Sequence, residues 1–368
     1  MVRCALLIIV LLLAVLVVVG HVVGGRPSVV YSSPATILAV HSDGEALLLL
    51  ARSDAKGTGG SLYALPLGSS RSQALYARDR LTEILPAGDR VLALESDGPS
   101  ANLIAIPRRG ATPFALATDL RRPAGLAADE ESVYWTESVP AIAPHVWHVP
   151  ALQPRILLRS CSLTGRGGVR TLAAAEGSGN QLDGEILGLH GGRLYWLQRF
   201  GKLHGDGWSA IRSAPAHGGI VTTHVLERGP QAAMLRGEAL YWSGPSEDAG
   251  DPLQFRCVRH AALPHLSPHT LTDWLAWGGS FFWVGGQLYY AAYDGVWAVP
   301  GRLGRPRQLE GAAGGPLSAG LGGSVYGVVT LKNGDHALLR RPVTLTARLR
   351  AAMRLPQGSW TSAGRSAP

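Results

Sequence analysis

The sequence predicts an all-β fold: a seven-bladed β-propeller of four-stranded antiparallel blades, preceded by one N-terminal transmembrane or signal helix. Three observations predict it. A short apolar run recurs seven times, most copies carrying an aromatic, with middle residues 45, 42, 61, 46, 48 and 37 positions apart. A second short run, closed by proline, follows each copy in phase. One long apolar segment stands alone at the N-terminus. Four strands in about 45 residues, repeated, is the arithmetic of a propeller. A β-sandwich would not repeat both markers in phase, and no helical periodicity appears outside the leader.

The leader comes first. From Cys4 to Gly20 no side chain is polar, and His21 is the one polar residue before Gly25. As a helix this run is about 33 Å long, enough to cross the hydrocarbon core of a bilayer. Arg3 ahead of it favours an N-terminus on the cytoplasmic side. Residues 1–25 therefore read as a signal-anchor or signal peptide. The anchor is favoured, because the apolar part of a signal peptide usually runs only about 7–15 residues. Either way the remaining chain is exported. It is then displayed on the extracytoplasmic side of the membrane, or secreted or periplasmic if the leader is cleaved.

Residues 28–352 carry the repeats. The second strands are Ala46-Leu47-Leu48, Val91-Leu92-Ala93, Val133-Tyr134-Trp135, Leu194-Tyr195-Trp196, Leu240-Tyr241-Trp242, Leu288-Tyr289-Tyr290 and Val325-Tyr326-Gly327. Six follow a turn pair: Asp43-Gly44, Gly88-Asp89, Gly191-Gly192, Gly237-Glu238, Gly285-Gly286 or Gly322-Gly323. Gly and Asp tolerate the positive φ of a tight hairpin. The remaining copy uses Asp129-Glu130-Glu131. Third strands end at Pro66, Pro107, Pro150, Pro215, Pro264, Pro300 and Pro342, since proline cannot donate to a ladder and suits a strand end. The fourth strands are expected at 74–77, 113–118, 155–159, 220–226, 269–272, 306–310 and 346–350. In the sixth blade, 281–284 is the innermost strand and Gly285-Gly286 its turn. Residues 353–368 are a flexible polar tail.

Val133-Tyr134-Trp135-Thr136-Glu137 resembles the YWTD repeat of extracellular propellers, and Leu194-Tyr195-Trp196 and Leu240-Tyr241-Trp242 echo it. The similarity recurs over roughly residues 35–350. Glu137, Gln198 and Gly244 stand where those repeats close with Asp. That family closes with six blades, whereas seven copies are counted here. The resemblance implies the architecture and carries no catalytic residue across. Tyr134, Trp135, Tyr195, Trp196, Tyr241, Trp242, Tyr289 and Tyr326 read as structural core, rings that fill the wedge between neighbouring blades.

Composition narrows the function. Of 368 residues 46% are hydrophobic and only 16% charged, which excludes disorder by charge excess. The formal net charge of +8 is nearly all arginine, dispersed with no nucleic-acid-binding motif, so nucleic acid is not an expected partner. No nucleophile elbow, phosphate loop, dinucleotide fingerprint or zinc-binding helix is present. No cofactor is expected. Glu185, at the start of an inner strand, is the weak candidate for a metal at the channel mouth, which would serve a lactone-type hydrolase. Cys161 and Cys257 are expected either to be bridged in an oxidising compartment or to be two separately buried thiols.

Loop length points to recognition. Segments 137–145, 161–183, 199–206 and 244–252 are long and crowd one face of blades three to five, opposite the short hairpins. Long mixed loops on a rigid scaffold are where binding concentrates. Arg199, His204, Trp208 and Trp135 are the ligand-binding candidates. The expected function is non-catalytic binding or scaffolding outside the cytoplasm, recognising a protein, peptide or glycan. The alternatives are the metal-dependent hydrolase and a structural component of an envelope assembly.

Overall fold

The computed structural model describes residues 28–52, 59–97, 100–109, 111–139, 154–177, 182–200, 208–228, 232–245, 255–263, 267–276, 280–292, 295–301, 304–309, 318–330 and 335–344. The expected leader, His204, the 146–150 and 346–350 runs and the tail lie outside them. Among the described residues no helix is long and apolar enough to cross a membrane.

The fold is all-β, with six antiparallel sheets arranged in the manner of a propeller. The first sheet has seven strands: β2 (Thr36–Ser42), β3 (Ala46–Arg52), β4 (Gly60–Pro66), β5 (Gln73–Ala87), β6 (Arg90–Asp97), β7 (Ser100–Pro107) and β8 (Phe114–Leu120). Four sheets of four strands follow. They are β9 (Pro123–Ala128), β10 (Ser132–Val139), β11 (Arg155–Ser162) and β12 (Arg170–Glu176); β13 (Leu182–His190), β14 (Arg193–Phe200), β15 (Trp208–Pro215) and β16 (Thr222–Arg228); β17 (Ala233–Arg236), β18 (Ala239–Pro245), β19 (Phe255–Ala262) and β20 (His269–Ala276); and β21 (Ser280–Val284), β22 (Gln287–Ala292), β23 (Gly295–Val299) and β24 (Arg307–Gln308). In the last sheet β25 (Ser318–Leu321), β26 (Ser324–Thr330) and β27 (His336–Pro342) are joined by the first strand of the domain, β1 (Ser28–Ser33).

All seven expected second runs lie in strands: β3, β6, β10, β14, β18, β22 and β26. These strands are buried on both faces, because neighbouring sheets cover each side. Leu47 to Ala51 in β3 and Val133 to Glu137 in β10 are all under 5% exposed. That is why they read as unbroken apolar runs. The outer strands β8 and β12 instead alternate in pairs between buried and exposed. The turn glycines Gly44, Gly88, Gly191, Gly237, Gly285 and Gly322 all have positive φ, the backbone state the hairpins require.

Two strand assignments are corrected. Residues 155–162 form the third strand of their sheet rather than the fourth, because Val139 pairs with Arg155 and Ser132 with Ser162. The fourth is β12, inside the segment read as a loop between blades. The fourth place in the terminal sheet, expected at 346–350, is filled by β1, whose Ser28 pairs with Arg340 and Ser33 with His336. A sequence pattern read in chain order assigns each unit its own strands, and a strand contributed by the other end of the chain breaks that order.

The sheets meet along their first strands. β5 and β25 both lie against β2, β5 against β9, β9 against β13, β13 against β17, β17 against β21, and β21 against β25. Two polar contacts stitch this inner line. The Glu83 carboxylate accepts the backbone N–H groups of Gly125 and Leu126, each at 2.9 Å. Thr136 Oγ1 sits 2.7 Å from the Ala124 carbonyl and 2.6 Å from that of Gly184 in the next sheet. Gly125 has φ +65°, and a Cβ there would stand 2.3 Å from the Ile186 nitrogen, so only glycine fits this approach.

Candidate functional site

The sheets present two faces. The hairpin face carries the first-to-second turns and the third-to-fourth connections; the connection face carries everything else. Of the sequence candidates, Arg199 and Trp208 lie at strand ends on the connection face, Trp135 lies inside β10, and His204 is outside the described residues.

Trp135 is corrected first. It is 0% exposed among Leu92, Leu94, Leu103, Leu126 and Cys161, so no ligand reaches it. It opens a device repeated in three sheets. Trp135 Nε1 donates to Glu137 Oε1 at 3.0 Å, and Arg159, directly opposite Trp135, reaches Glu137 Oε2 at 3.4 Å. Trp196 Nε1 donates to Gln198 Oε1 at 3.3 Å, and the opposite Arg212 donates to the same oxygen at 3.0 Å. In the third copy the acceptor position is Gly244, and Glu227 from the neighbouring sheet replaces it. Trp242 Nε1 donates to Glu227 Oε2 at 3.4 Å, and the opposite Arg259 donates to Oε1 at 2.5 Å. A Cβ on Gly244 would lie 2.8 Å from Glu227 Oε2, so the glycine makes room for the borrowed carboxylate. Buried indole N–H groups need an acceptor, and each sheet finds one. Glu227 and the three arginines escaped the sequence reading. The arginines follow their tryptophans by 24, 16 and 17 residues, so no fixed spacing marks them.

The other repeat aromatics are placed as follows. Tyr134, Tyr195, Trp196, Trp242, Tyr289 and Tyr326 are buried, and Tyr241 is half-buried. Burial and the hydrogen bond its hydroxyl gives to Asp129 push the Tyr134 phenol up to about 12.

Glu185 and Arg199, proposed for different roles, face each other. Arg199 donates to the Glu185 carboxylate at 2.5 Å, with the two side chains 28% and 47% exposed. The carboxylate is engaged by a guanidinium, so Glu185 is not placed as a metal ligand. Among the described residues no group of three or more His, Cys, Asp or Glu could hold a metal ion.

Trp208 opens β15 and is 43% exposed, pairing in register with Phe200, whose ring lies 5.3 Å under the Arg212 guanidinium. On the same face, the β9–β12 sheet and the link that leads into it add groups the sequence reading passed over. Arg121, Arg122 and Arg155 are exposed at this face. Arg122 accepts from the Ser138 N–H through its carbonyl at 3.4 Å, and Val139 pairs with Arg155, which places Arg122 and Arg155 two strands, about 10 Å, apart. Asp119 and Arg122 have φ of 57° and 45° within one short link. Asp tolerates this region, but for Arg it costs on the order of 1–3 kcal/mol.

The long 161–183 segment does not join this face as a whole. Residues 163–169 turn at the hairpin face, and the long connection of that sheet is instead 140–153, outside the described residues. Cys161 and Cys257 are not bridged: both are free and buried, one in β11 and one in β19. Of the two expected states the structure has the separate thiols: Cys161 packs in the core with Trp135, and Cys257 Sγ donates to the Pro245 carbonyl. A cleft of about 240 Å³ opens at the hairpin face where β1 meets the 67–70 turn, lined by Val30, Leu65, Leu67 and Tyr326 with Ser69 and Arg340.

No protein-family model matches the chain, and no curated protein matches it. Solved structures do. An oligogalacturonate lyase in complex with manganese is similar with TM-score 0.59 and 12% identity, over 83% of this chain and 88% of that one. A puromycin-hydrolyzing peptidase of Mycobacterium tuberculosis gives 0.57 and 15%, over 84% of this chain but 52% of the peptidase. The β-propeller domain of the trilobed protease from Pyrococcus furiosus, which has an open velcro topology, gives 0.53 and 6%, over 83% and 95%. The chain thus spans about half the length of the peptidase. At these identities the likeness is one of fold alone.

Proposed function

We propose that this chain is a ring-closed propeller of seven four-stranded units that binds a protein, peptide or glycan outside the cytoplasm and performs no chemistry on it. The unit count rests on β5. Its residues up to Leu81 pair with β4 and those from Leu81 onward with β6, so it serves as fourth strand of one unit and first of the next. Counting it twice turns 27 strands into 28, which is seven fours. Contacts between first strands that return from β25 to β2, and the β1–β27 pairing, support closure. The N-terminal helix holds the domain at the membrane, as its apolar length and Arg3 suggest.

Binding is assigned to the connection face of the β9–β12, β13–β16 and β17–β20 sheets. The observation that carries it is the exposure of Arg122, Arg155 and Trp208 on this face, with the backbone strained at Arg122 in the link between β8 and β9. Strain that the fold sustains at an exposed link is a mark of function, and guanidinium and indole groups are common binding anchors. Arg199 stays on this surface as half of an ion pair, while His204 adjoins it in sequence. The resembled folds belong to a glycan lyase and peptidases, in keeping with a polymeric ligand. An unbiased capture experiment tests the reading. Partners retained by the wild-type protein are expected to be lost by Trp208→Ala with Arg122→Ala, at an unchanged melting temperature. An identical partner list for both would sink the assignment.

A further inference from the structure

The two ends of the described domain emerge on the hairpin face. β27 runs from the connection face at His336 to Pro342, which pairs with Ser324 beside the Gly322-Gly323 turn. β1 runs antiparallel to it, with Ser28 opposite Arg340. Only residues 26 and 27 separate Ser28 from the apolar leader, and two residues span at most about 7 Å. A bilayer crossed by that leader therefore lies against the hairpin face, with the connection face turned away from it.

What this face presents fits such a neighbour. Of the six exposed large apolar side chains among the described residues, four belong to it: Val29 at 56%, Phe114 at 41%, Val169 at 40% and Ile220 at 86%. They sit at the outer rim, in or beside the third-to-fourth connections. These connections lean on one another around the ring. A Cβ on Gly165 would lie 3.5 Å from the Ala115 carbonyl, next to Phe114. The Gly219 N–H donates to the Leu172 carbonyl at 3.2 Å, next to Arg170 and one residue before Ile220. The same rim carries exposed Arg71, Arg109, Arg166, Arg170 and Arg305. The acids of this face lie further in, on the hairpins. Asp43 is held by Arg108 at 2.7 Å and Asp89 by Arg90 at 3.0 Å, whereas Glu45, Glu130, Glu131 and Glu238 are exposed there. Among the described residues the rim thus carries exposed guanidinium and apolar tips and no exposed carboxylate, while the exposed charged residues of the hairpins are carboxylates apart from Arg236.

We propose that the rim of the hairpin face, from Val29 through Arg71, Arg109, Phe114, Arg166 and Val169 to Ile220, docks on the anionic lipid surface of the membrane that the leader enters. Aliphatic tips seat at the headgroup boundary while arginines pair with lipid phosphates, the division of labour of interfacial membrane segments. The exposed hairpin carboxylates keep the centre of the face off the lipid, so contact is made along one arc. The inference rests on the anchor reading for its geometry. Its rim chemistry stands without it.

Hydrogen exchange on the full chain in nanodiscs tests it, comparing phosphatidylcholine alone with a phosphatidylglycerol mixture. Severalfold slower exchange is expected in 67–72, 109–115, 163–170 and 216–221 in the mixture, with 119–122 unchanged. Val169→Asp with Ile220→Asp, and Arg109→Glu with Arg166→Glu, are expected to remove that protection without moving the melting temperature. Equal exchange in both lipids, or protection of 119–122 instead, overturns the proposal. Concentration-dependent protection of the same turns without lipid overturns it too, and assigns the rim to a second copy of the chain. Intact mass of the membrane-derived protein reports separately whether the leader is retained. If it is cleaved, the mature protein is sedimented with the same vesicles. Binding that needs phosphatidylglycerol and falls about fivefold per arginine removed sustains the docking rim, and no binding ends it.

Discussion

Two regions fill the same place in their sheets with different chemistry. In β3 and β6 the second strand is aliphatic, with Leu47, Leu48, Leu49, Leu50, Val91, Leu92 and Leu94 at 2% exposure or less. In β10, β14 and β18 it carries Trp135, Trp196 and Trp242, equally buried. The apolar runs of these strands, Leu47 to Ala51 and Val91 to Leu94, bring no side-chain polar atom into the interior. The tryptophan strands bring an N–H each, then an acceptor, then an arginine opposite. Burial is therefore set by position in the sheet, whereas the choice of side chain decides how tightly the register is specified. A leucine packs acceptably after a slip of two residues. A Trp–Glu–Arg set is satisfied in one register only. The largest expected effect breaks the tryptophan side of the comparison. Trp196→Ala should cost about 3–5 kcal/mol in chemical unfolding. A loss under about 1 kcal/mol would mean that the packing has little to do with its burial.

The next effect probes the polar part alone. Glu227→Ala removes the carboxylate that accepts from both Trp242 Nε1 and Arg259, whose side chain is only 13% exposed. Breaking a buried pair from one side costs about 3–5 kcal/mol, and partial exposure here reduces that to about 2–4. Converting the site to the aliphatic solution sharpens the contrast. Glu227→Leu with Arg259→Leu should recover part of the loss, since replacing both partners of the ion pair is often nearly neutral while the buried Trp242 N–H still lacks its acceptor. A double variant as unstable as the single would show that the pair does more than satisfy itself.

The same contrast governs what could be read in the sequence. Strand positions were legible because both determinants are local: an unbroken apolar run for a strand covered on two sides, and a glycine for each positive-φ turn. The partners were not. Arg159, Arg212 and Arg259 meet their tryptophans through connections of unequal length, and Glu227 arrives from another sheet. The β9–β12 sheet was misread because its second-to-third connection is long, which shifted every later strand of that unit by one. Trp135 was offered as a ligand group because its sequence neighbours are loops, although the packing that buries it comes from the preceding sheet. Arg122 and Glu83 were passed over because backbone strain and a carboxylate bound to N–H groups leave no composition signal.

A smaller effect distinguishes the regions by pH. Burial holds His41, in the aliphatic sheet, below its ordinary value. Burial and then the Arg193 charge hold His224 down, and burial and then His269 hold His260 down. As pH falls through about 6.5 the unfolded chain takes up protons before the native state does. Stability present above that pH is therefore lost progressively as it falls toward the native values. The melting temperature should drop between about pH 6.5 and 5, and His224→Gln should flatten the part due to the tryptophan sheets. An unchanged slope would place the acid sensitivity elsewhere.

The smallest expected effect is at the cysteines, one in each of two tryptophan sheets. Burial pushes the Cys161 thiol up to about 11 and raises Cys257 as well. Cys257 Sγ donates to the Pro245 carbonyl at 3.3 Å, and Cys161 packs with Trp135. A thiol that is protonated and enclosed is a poor nucleophile. Neither reductant nor oxidant should shift the melting curve. Alkylation at pH 8 should be slow in the native protein and fast after unfolding, with peptide mapping recovering Cys161 and Cys257 on separate, singly alkylated peptides. Recovery of a linked Cys161–Cys257 peptide would overturn the separate placement of β11 and β19. Rapid alkylation of either thiol in the folded protein would mean that its sheet opens locally, and would make the tryptophan sheets the looser region rather than the more tightly specified one.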